Sequence, residues 1–339
     1  MSLTAELIRL GSRIFLKPRM LPGIDIGERR KRLRNFERWV FGPAAGTETT
    51  ELVLGGVQAV RIARPESDPE RQILFLHGGG YVTGSPGLYR HITWRFAAAA
   101  RARLIAVDYR LAPEHPFPAA LDDAAAAWRA LLAEGADPKC SAIMGDSAGG
   151  GLALALALRL RDEGGPQPAA VVALSPWTDL AITGDSCRDD EADPMLPSVC
   201  LEPFAAQYLA GTDSRHPYAS PLYGDPTGLP PTLIQVGGDE ILRDDSTRMA
   251  ERMRQAGCQV TLEVWPRMPH VWHAFAPLMP EARRAIKRVG AFIHQWTAKQ
   301  TVVRARPVGS ELWNRHFLSA RPAPAGDFHR TRHPAERSW

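Results

Sequence analysis

Ser141-Ala142-Ile143-Met144-Gly145-Asp146-Ser147-Ala148-Gly149 is the stretch on which the reading of this chain turns. Ser141 to Gly145 reads as a short strand, and Ala148 to Asp162 reads as a helix whose apolar run, Leu152 to Leu158, is buried. A strand that bends sharply into a helix lifts the residue at the bend out of the sheet. Small residues on both sides let strand and helix come close, which is the context a nucleophilic serine needs. The N–H of Ala148 then opens a helix, where it can face developing negative charge.

Outward from this bend the chain alternates short apolar strands with helices. Residues 51–63 alternate around Gly55-Gly56 and predict a β-hairpin. Strands are expected at 73–76, 104–107, 171–174, 232–236 and 260–265, and helices at 88–101, 119–134, 246–256 and 281–296. This pattern predicts an α/β fold with a mostly parallel sheet covered by helices on both faces. Residues 184–213 are acidic, contain proline and read as partly helical, which marks them as an insertion in one domain.

Three further signals point to one site. His77-Gly78-Gly79-Gly80 follows the strand at 73–76, and three glycines can expose backbone N–H groups without side chains in the way. No Lys-Ser/Thr pair follows, which argues against a phosphate loop. His77 reads as an anchor for this loop. Gly237-Gly238-Asp239-Glu240 follows the strand at 232–236, and Arg267-Met268-Pro269-His270 follows the strand at 260–265. The order serine, acid, histidine, with both partners on loops at the C-terminal ends of strands, predicts a nucleophile–base–acid triad of Ser147, His270 and Asp239. Asp179, Asp244 and Asp245 compete for the role of acid, with one of the last two expected to cap the helix near Ser246. His273 competes for the role of base. His91, His115, His216 and His294 read as surface or structural residues.

Composition excludes other classes. The 339 residues are 45% hydrophobic and 23% charged, ordinary for a globular chain with a large core. The net charge of +4 gathers in a basic N-terminal segment and in the tail from 300, where seven arginines face three acids. A nucleic-acid partner would want a basic stripe across the folded body. Cys140, Cys187, Cys200 and Cys258 are far apart in sequence and suggest neither a metal site nor disulfides, which with the lack of a secretory signal fits a cytoplasmic protein. No apolar run is long enough to span a bilayer. No metal or organic cofactor is expected.

Residues 1–46 read as helical and amphipathic, with Leu3, Leu7, Leu10 and Ile14 on one face. Such a helix suits a membrane surface or the protein's own body, and packing on the body is the expectation adopted here. Residues 300–339, rich in Pro, Arg, His and Ala without apolar period, are expected to be disordered.

Taken in order, the stretches His77–Gly80, Asp108–Glu114, Gly145–Gly150, Ser175–Asp179, Tyr218–Pro221, Gly238–Asp245 and Met268–His270 resemble the bacterial hormone-sensitive lipase family of α/β-hydrolases, in the branch with Gly-Asp-Ser-Ala-Gly at the bend. The resemblance covers roughly residues 50–297. It implies Ser147, Asp239 and His270 as catalytic residues and the amides of Gly79, Gly80 and Ala148 as oxyanion donors. It also implies a catalytic domain over 47–299 and a helical cap made of residues 1–46 and 184–213, with the tail a departure from the family pattern. The expected activity is hydrolysis of short- to medium-chain acyl esters, small molecules that need no cofactor. A homodimer is compatible with the resemblance. The same residues also suit amide, lactone or carbamate hydrolysis, and some proteins of this fold serve instead as ligand receptors.

Overall fold

Parallel strands buried on both faces need mostly apolar residues, and the central strands here have such runs at Ile73–Leu76 and Ala170–Leu174. In the computed structural model, which describes residues 1–21, 23–37 and 42–297, eight strands form one sheet in the order β1-β2-β4-β3-β5-β6-β7-β8. The strands are β1 (Glu48–Leu54), β2 (Val57–Ala63), β3 (Asp68–Leu76), β4 (Ala102–Val107), β5 (Ser141–Asp146), β6 (Ala170–Leu174), β7 (Thr232–Gly237) and β8 (Val260–Trp265). The hairpin β1–β2 joins β4 antiparallel, and every other pairing is parallel.

The two-residue period of a strand divides the core into two layers. Leu74, Leu76 and Ile143 point to one side, where α5 (Ala119–Ala133), α6 (Ala148–Asp162) and α8 (Arg243–Gln255) cover them. Ile73, Phe75, Ala142 and Met144 point to the other, against α4 (Pro86–Ala100) and α9 (Pro280–Thr297). Each fully buried large apolar side chain contributes about 1.5–3 kcal/mol. A core this wide therefore holds the sheet rigid beneath the loops at its C-terminal edge.

Two segments lie outside this sandwich. The first is the helical run α1 (Leu3–Gly11), a π-helical turn over Ser12–Leu16, α2 (Lys17–Met20) and α3 (Ile26–Glu37). The second, residues 184–213, contains two short 3₁₀ turns and α7 (Leu201–Leu209). They touch each other: Lys17 Nζ donates to the carbonyl of Asp193 at 2.8 Å, Arg13 donates to the carbonyl of Glu191, and the Arg29 guanidinium lies 5.6 Å from the centre of the Phe204 ring.

Two expectations are corrected. The helix near Ser246 begins at Arg243, and neither aspartate caps it: Asp245 is buried and accepts from the N–H groups of Thr178 and Asp179, while Asp244 accepts from Ser186 N–H. The apolar stripe of α1 does not pack on the body. Leu3, Leu7, Leu10 and Ile14 are 77%, 60%, 56% and 54% exposed, and the helix turns Ala5 inward instead. Polar anchors decide this orientation. Ser2 donates its N–H and hydroxyl to the two oxygens of Glu281 on α9, at 2.7 and 2.8 Å. The tail, 300–339, lies outside the described residues.

Candidate active site

The bend after β5 is built by close approach. Ser147 sits at φ +53°, ψ −124°, a conformation costly for any residue with a Cβ. It is tolerated because the surroundings leave no alternative: a Cβ on Gly145 would lie 2.1 Å from the Gly149 carbonyl oxygen, and one on Gly149 would lie 2.1 Å from that of Leu76. The Ser147 N–H is held by the Leu174 carbonyl at 2.8 Å, and its own carbonyl accepts from Trp177 N–H at 3.0 Å. The hydroxyl is thereby presented at the C-terminal edge of the sheet, where ligands bind in such folds.

His270 meets it there. The imidazole Nε2 lies 2.9 Å from Ser147 Oγ. Its Nδ1 lies 2.8 Å from Oε2 of Glu240. A carboxylate only accepts, so Nδ1 carries the proton and Nε2 is free to accept from the serine hydroxyl. Burial alone would lower the His270 pKa. The hydrogen bond and charge of Glu240, with Asp193 and Asp146 further off, overcome this and hold it above the ordinary 6.5.

The carboxylate on His270 is thus Glu240 and not Asp239. The two are adjacent on the turn after β7, but their side chains diverge. Glu240 is fully enclosed, and its other oxygen, Oε1, accepts from Ser175 Oγ and from Gly237 N–H, both at 2.6 Å. Asp239 is one-quarter exposed and pairs with Arg9 of α1 at 2.7 Å. Burial raises the Glu240 carboxyl above its ordinary value, and its donors from His270, Ser175 and Gly237 offset only part of that rise. The sequence signal was present as two consecutive acids, but nothing local says which one turns inward.

Ser175 was not anticipated. It follows β6 at φ +46°, and its hydroxyl donates to Glu240 while accepting from Val271 N–H at 3.2 Å. One side chain therefore ties the acid to the residue after the histidine.

The competitors are engaged elsewhere. His273 is buried, its Nε2 lies 2.8 Å from Gln235 Oε1, and burial pushes its pKa down to about 3. Asp179 pairs with Arg248 at 3.0 Å and accepts from Thr183 and Tyr223.

The glycine loop stands beside the bend because β3 and β5 are neighbours. Gly78 N–H donates to Asp146 Oδ1 at 3.0 Å, and the other oxygen of Asp146 accepts from Tyr89 at 2.8 Å. Burial lifts the Asp146 pKa to about 6. Gly79 and Gly80 adopt φ +121° and +64°, conformations that favour glycine. A Cβ on Gly80 would lie 2.7 Å from the Phe204 ring, so α7 of the insertion rests directly on this loop. His77 anchors it: its Nδ1 lies 2.8 Å from the Gly78 carbonyl, its ring stacks on Tyr109 at 4.3 Å, and burial lowers its pKa to about 4.

Comparison with known proteins agrees with this architecture. Residues 73–274 match the family described as alpha/beta hydrolase fold. An acetyl-hydrolase of Streptomyces hygroscopicus is 47% identical over 255 residues, covering 75% of this chain and 85% of the relative. The crystal structure of EstE5 soaked with p-nitrophenyl butyrate superposes with a TM-score of 0.83 at 41% identity, covering 88% of this chain and all of that one. An esterase from the bacterial hormone-sensitive lipase family matches with the same TM-score and identity, over 88% of this chain and 99% of its own. With a serine–histidine–carboxylate chain at the edge of an eight-stranded sheet and relatives of this closeness over most of its length, the protein belongs to the α/β-hydrolase fold family, in its bacterial hormone-sensitive lipase branch.

Proposed function

We propose that the protein is a carboxylesterase that hydrolyses short- to medium-chain acyl esters through an acyl-enzyme, with Ser147 as nucleophile, His270 as general base and acid, and Glu240 as the residue that orients the imidazole. The observation that carries this reading is the unbroken chain from Ser147 Oγ to His270 Nε2 at 2.9 Å and from His270 Nδ1 to Glu240 Oε2 at 2.8 Å. The relatives point the same way, since they are named acetyl-hydrolase and esterase.

In this mechanism Ser147 Oγ attacks the ester carbonyl while His270 Nε2 takes its proton. The negative charge that develops on the carbonyl oxygen is met by the amides of Gly79, Gly80 and Ala148. His270 then gives the proton to the leaving alcohol, and water repeats the cycle on the acyl-Ser147 ester. Glu240 keeps the proton on Nδ1 and stabilises the imidazolium. Preorganised amide donors supply several kcal/mol in sites of this kind, at about 3–4 kcal/mol per donor.

Residues 1–46 and 184–213 serve as the cap in this reading. The insertion reaches the site through Phe204, which lies against Gly80, and through Tyr208, which stacks on Tyr81 with ring centres 3.7 Å apart. The test is hydrolysis of p-nitrophenyl esters from acetate to palmitate. Wild type should act best on the shorter chains, and Ser147→Ala should lose about a million-fold in kcat. Equal rates for the two proteins would reject the proposal.

A further inference from the structure

The outward face of α1 takes no part in the reaction proposed above. Its inner face is fixed by polar contacts at both ends. Ser2 is bound to Glu281, and Arg9 is bound to Asp239 and to the Arg267 carbonyl at 2.5 Å. Between these anchors Ala5 is buried. With the helix pinned this way, Leu3, Leu7, Leu10 and Ile14 form one exposed stripe, and Phe15, next to Ile14 on the π-helical turn, is exposed as well.

We infer that this face is a docking surface for an anionic lipid–water interface. An amphipathic helix that lies in such an interface buries its apolar stripe at the boundary between headgroups and acyl chains, flanked by basic residues. The N-terminal segment that carries the stripe is basic as a whole. Residues 1–37 carry nine Lys and Arg against four Asp and Glu, and Arg13, Arg19, Lys31 and Arg32 are exposed. An anionic surface complements that charge.

A second copy of the same face does not. It would bring two basic segments together. The stripe from Leu3 to Ile14 is also only about 16 Å long and about 10 Å wide. That is far short of the ~800 Å² per partner that a stable dimer needs. The docked helix remains tied through Arg9 to the turns that carry Glu240 and His270.

The test uses the full chain and vesicles in a flotation assay. The wild type should float with phosphatidylcholine vesicles containing roughly a third phosphatidylglycerol, and high salt should weaken the binding. Leu7→Glu/Leu10→Glu should lower the vesicle-bound fraction about tenfold or more. Its circular dichroism should match the wild type. The milder Leu3→Ser/Ile14→Ser should lower binding in the same direction. A wild type that stays with the unfloated protein overturns the inference. So does equal binding to pure phosphatidylcholine. A wild-type dimer in light scattering that becomes monomeric in the Leu7→Glu/Leu10→Glu variant assigns the face to a second copy, and a photo-crosslinker at position 7 that captures residues 300–339 in vesicle-free solution assigns it to the tail. Either result overturns the lipid assignment. None of these readouts depends on Ser147, so failure here is separable from failure of the esterase reading.

Discussion

Ser175 Oγ donates to Glu240 at 2.6 Å, through the carboxylate oxygen that His270 leaves unused. The carboxylate is thereby clamped between a hydroxyl on the β6 edge, a backbone amide at Gly237 and the imidazole of the β8 loop. A buried charge held by three donors is costly to disturb, because each lost partner leaves an enclosed oxygen unpaired.

The first consequence concerns the identity of the acid. Glu240→Gln keeps the shape but permits the wrong imidazole tautomer, and kcat should fall by about 10³–10⁴. Asp239→Asn should stay within about tenfold of wild type, since Asp239 faces Arg9. Steady-state kinetics with p-nitrophenyl butyrate compare the two. A crippled Asp239→Asn beside an active Glu240→Gln would restore Asp239 as the acid.

In the proposed mechanism Ser175 acts through Glu240, so its removal has a particular signature. Ser175→Ala should lower kcat about tenfold with KM nearly unchanged, as expected for loss of one neutral donor to a charged group. The carboxylate that remains is less stabilised and more basic, so it holds the imidazolium more tightly. The pH midpoint for activity should therefore move upward. A fall in activity with an unmoved pH profile would make Ser175 purely structural.

The pH dependence follows from the direction of the His270 shift. A general base at His270, as proposed, works only when neutral, and Glu240 holds its pKa above 6.5. Activity should accordingly be lost as pH falls through a midpoint above 6.5, where kcat/KM reports the free enzyme. In Glu240→Gln the residual activity should titrate at lower pH, because burial then acts on His270 without the opposing charge. A wild-type midpoint below 6 would contradict the geometry.

Arg9 joins the N-terminal helix to both active-site turns, through Asp239 and the Arg267 carbonyl. The pair is partly exposed, so Arg9→Ala and Asp239→Ala should each cost about 1 kcal/mol of unfolding free energy. The double variant should cost less than the sum of the two, a coupling that urea denaturation can measure. Strict additivity would show that the ion pair has no energetic reality in solution.

How much was legible depended on how local each signal was. The apolar runs at 73–76, 104–107 and 171–174, the bend at Gly145–Gly149 and the glycine loop at 78–80 are settled by neighbouring residues. A buried parallel strand needs a continuous apolar run, and a strand-to-helix bend needs small residues within four positions. Sequence order alone also brought Ser147 and His270 onto one edge of the sheet. Three features were decided by contacts between segments far apart in the chain. Glu240 rather than Asp239 turned inward because Ser175 and His270 receive it, while Arg9, some 230 positions away, holds its neighbour outward. The leucine stripe of α1 faces outward because Ser2 and Arg9 find their partners on α9 and the two loops, and polar anchors outweighed the period that local pattern suggests for burial. Ser175 acquired its place only when β6, β7 and β8 were set side by side, since a hydroxyl has no direction in sequence and gains one only from the donors and acceptors that tertiary structure brings within hydrogen-bonding distance.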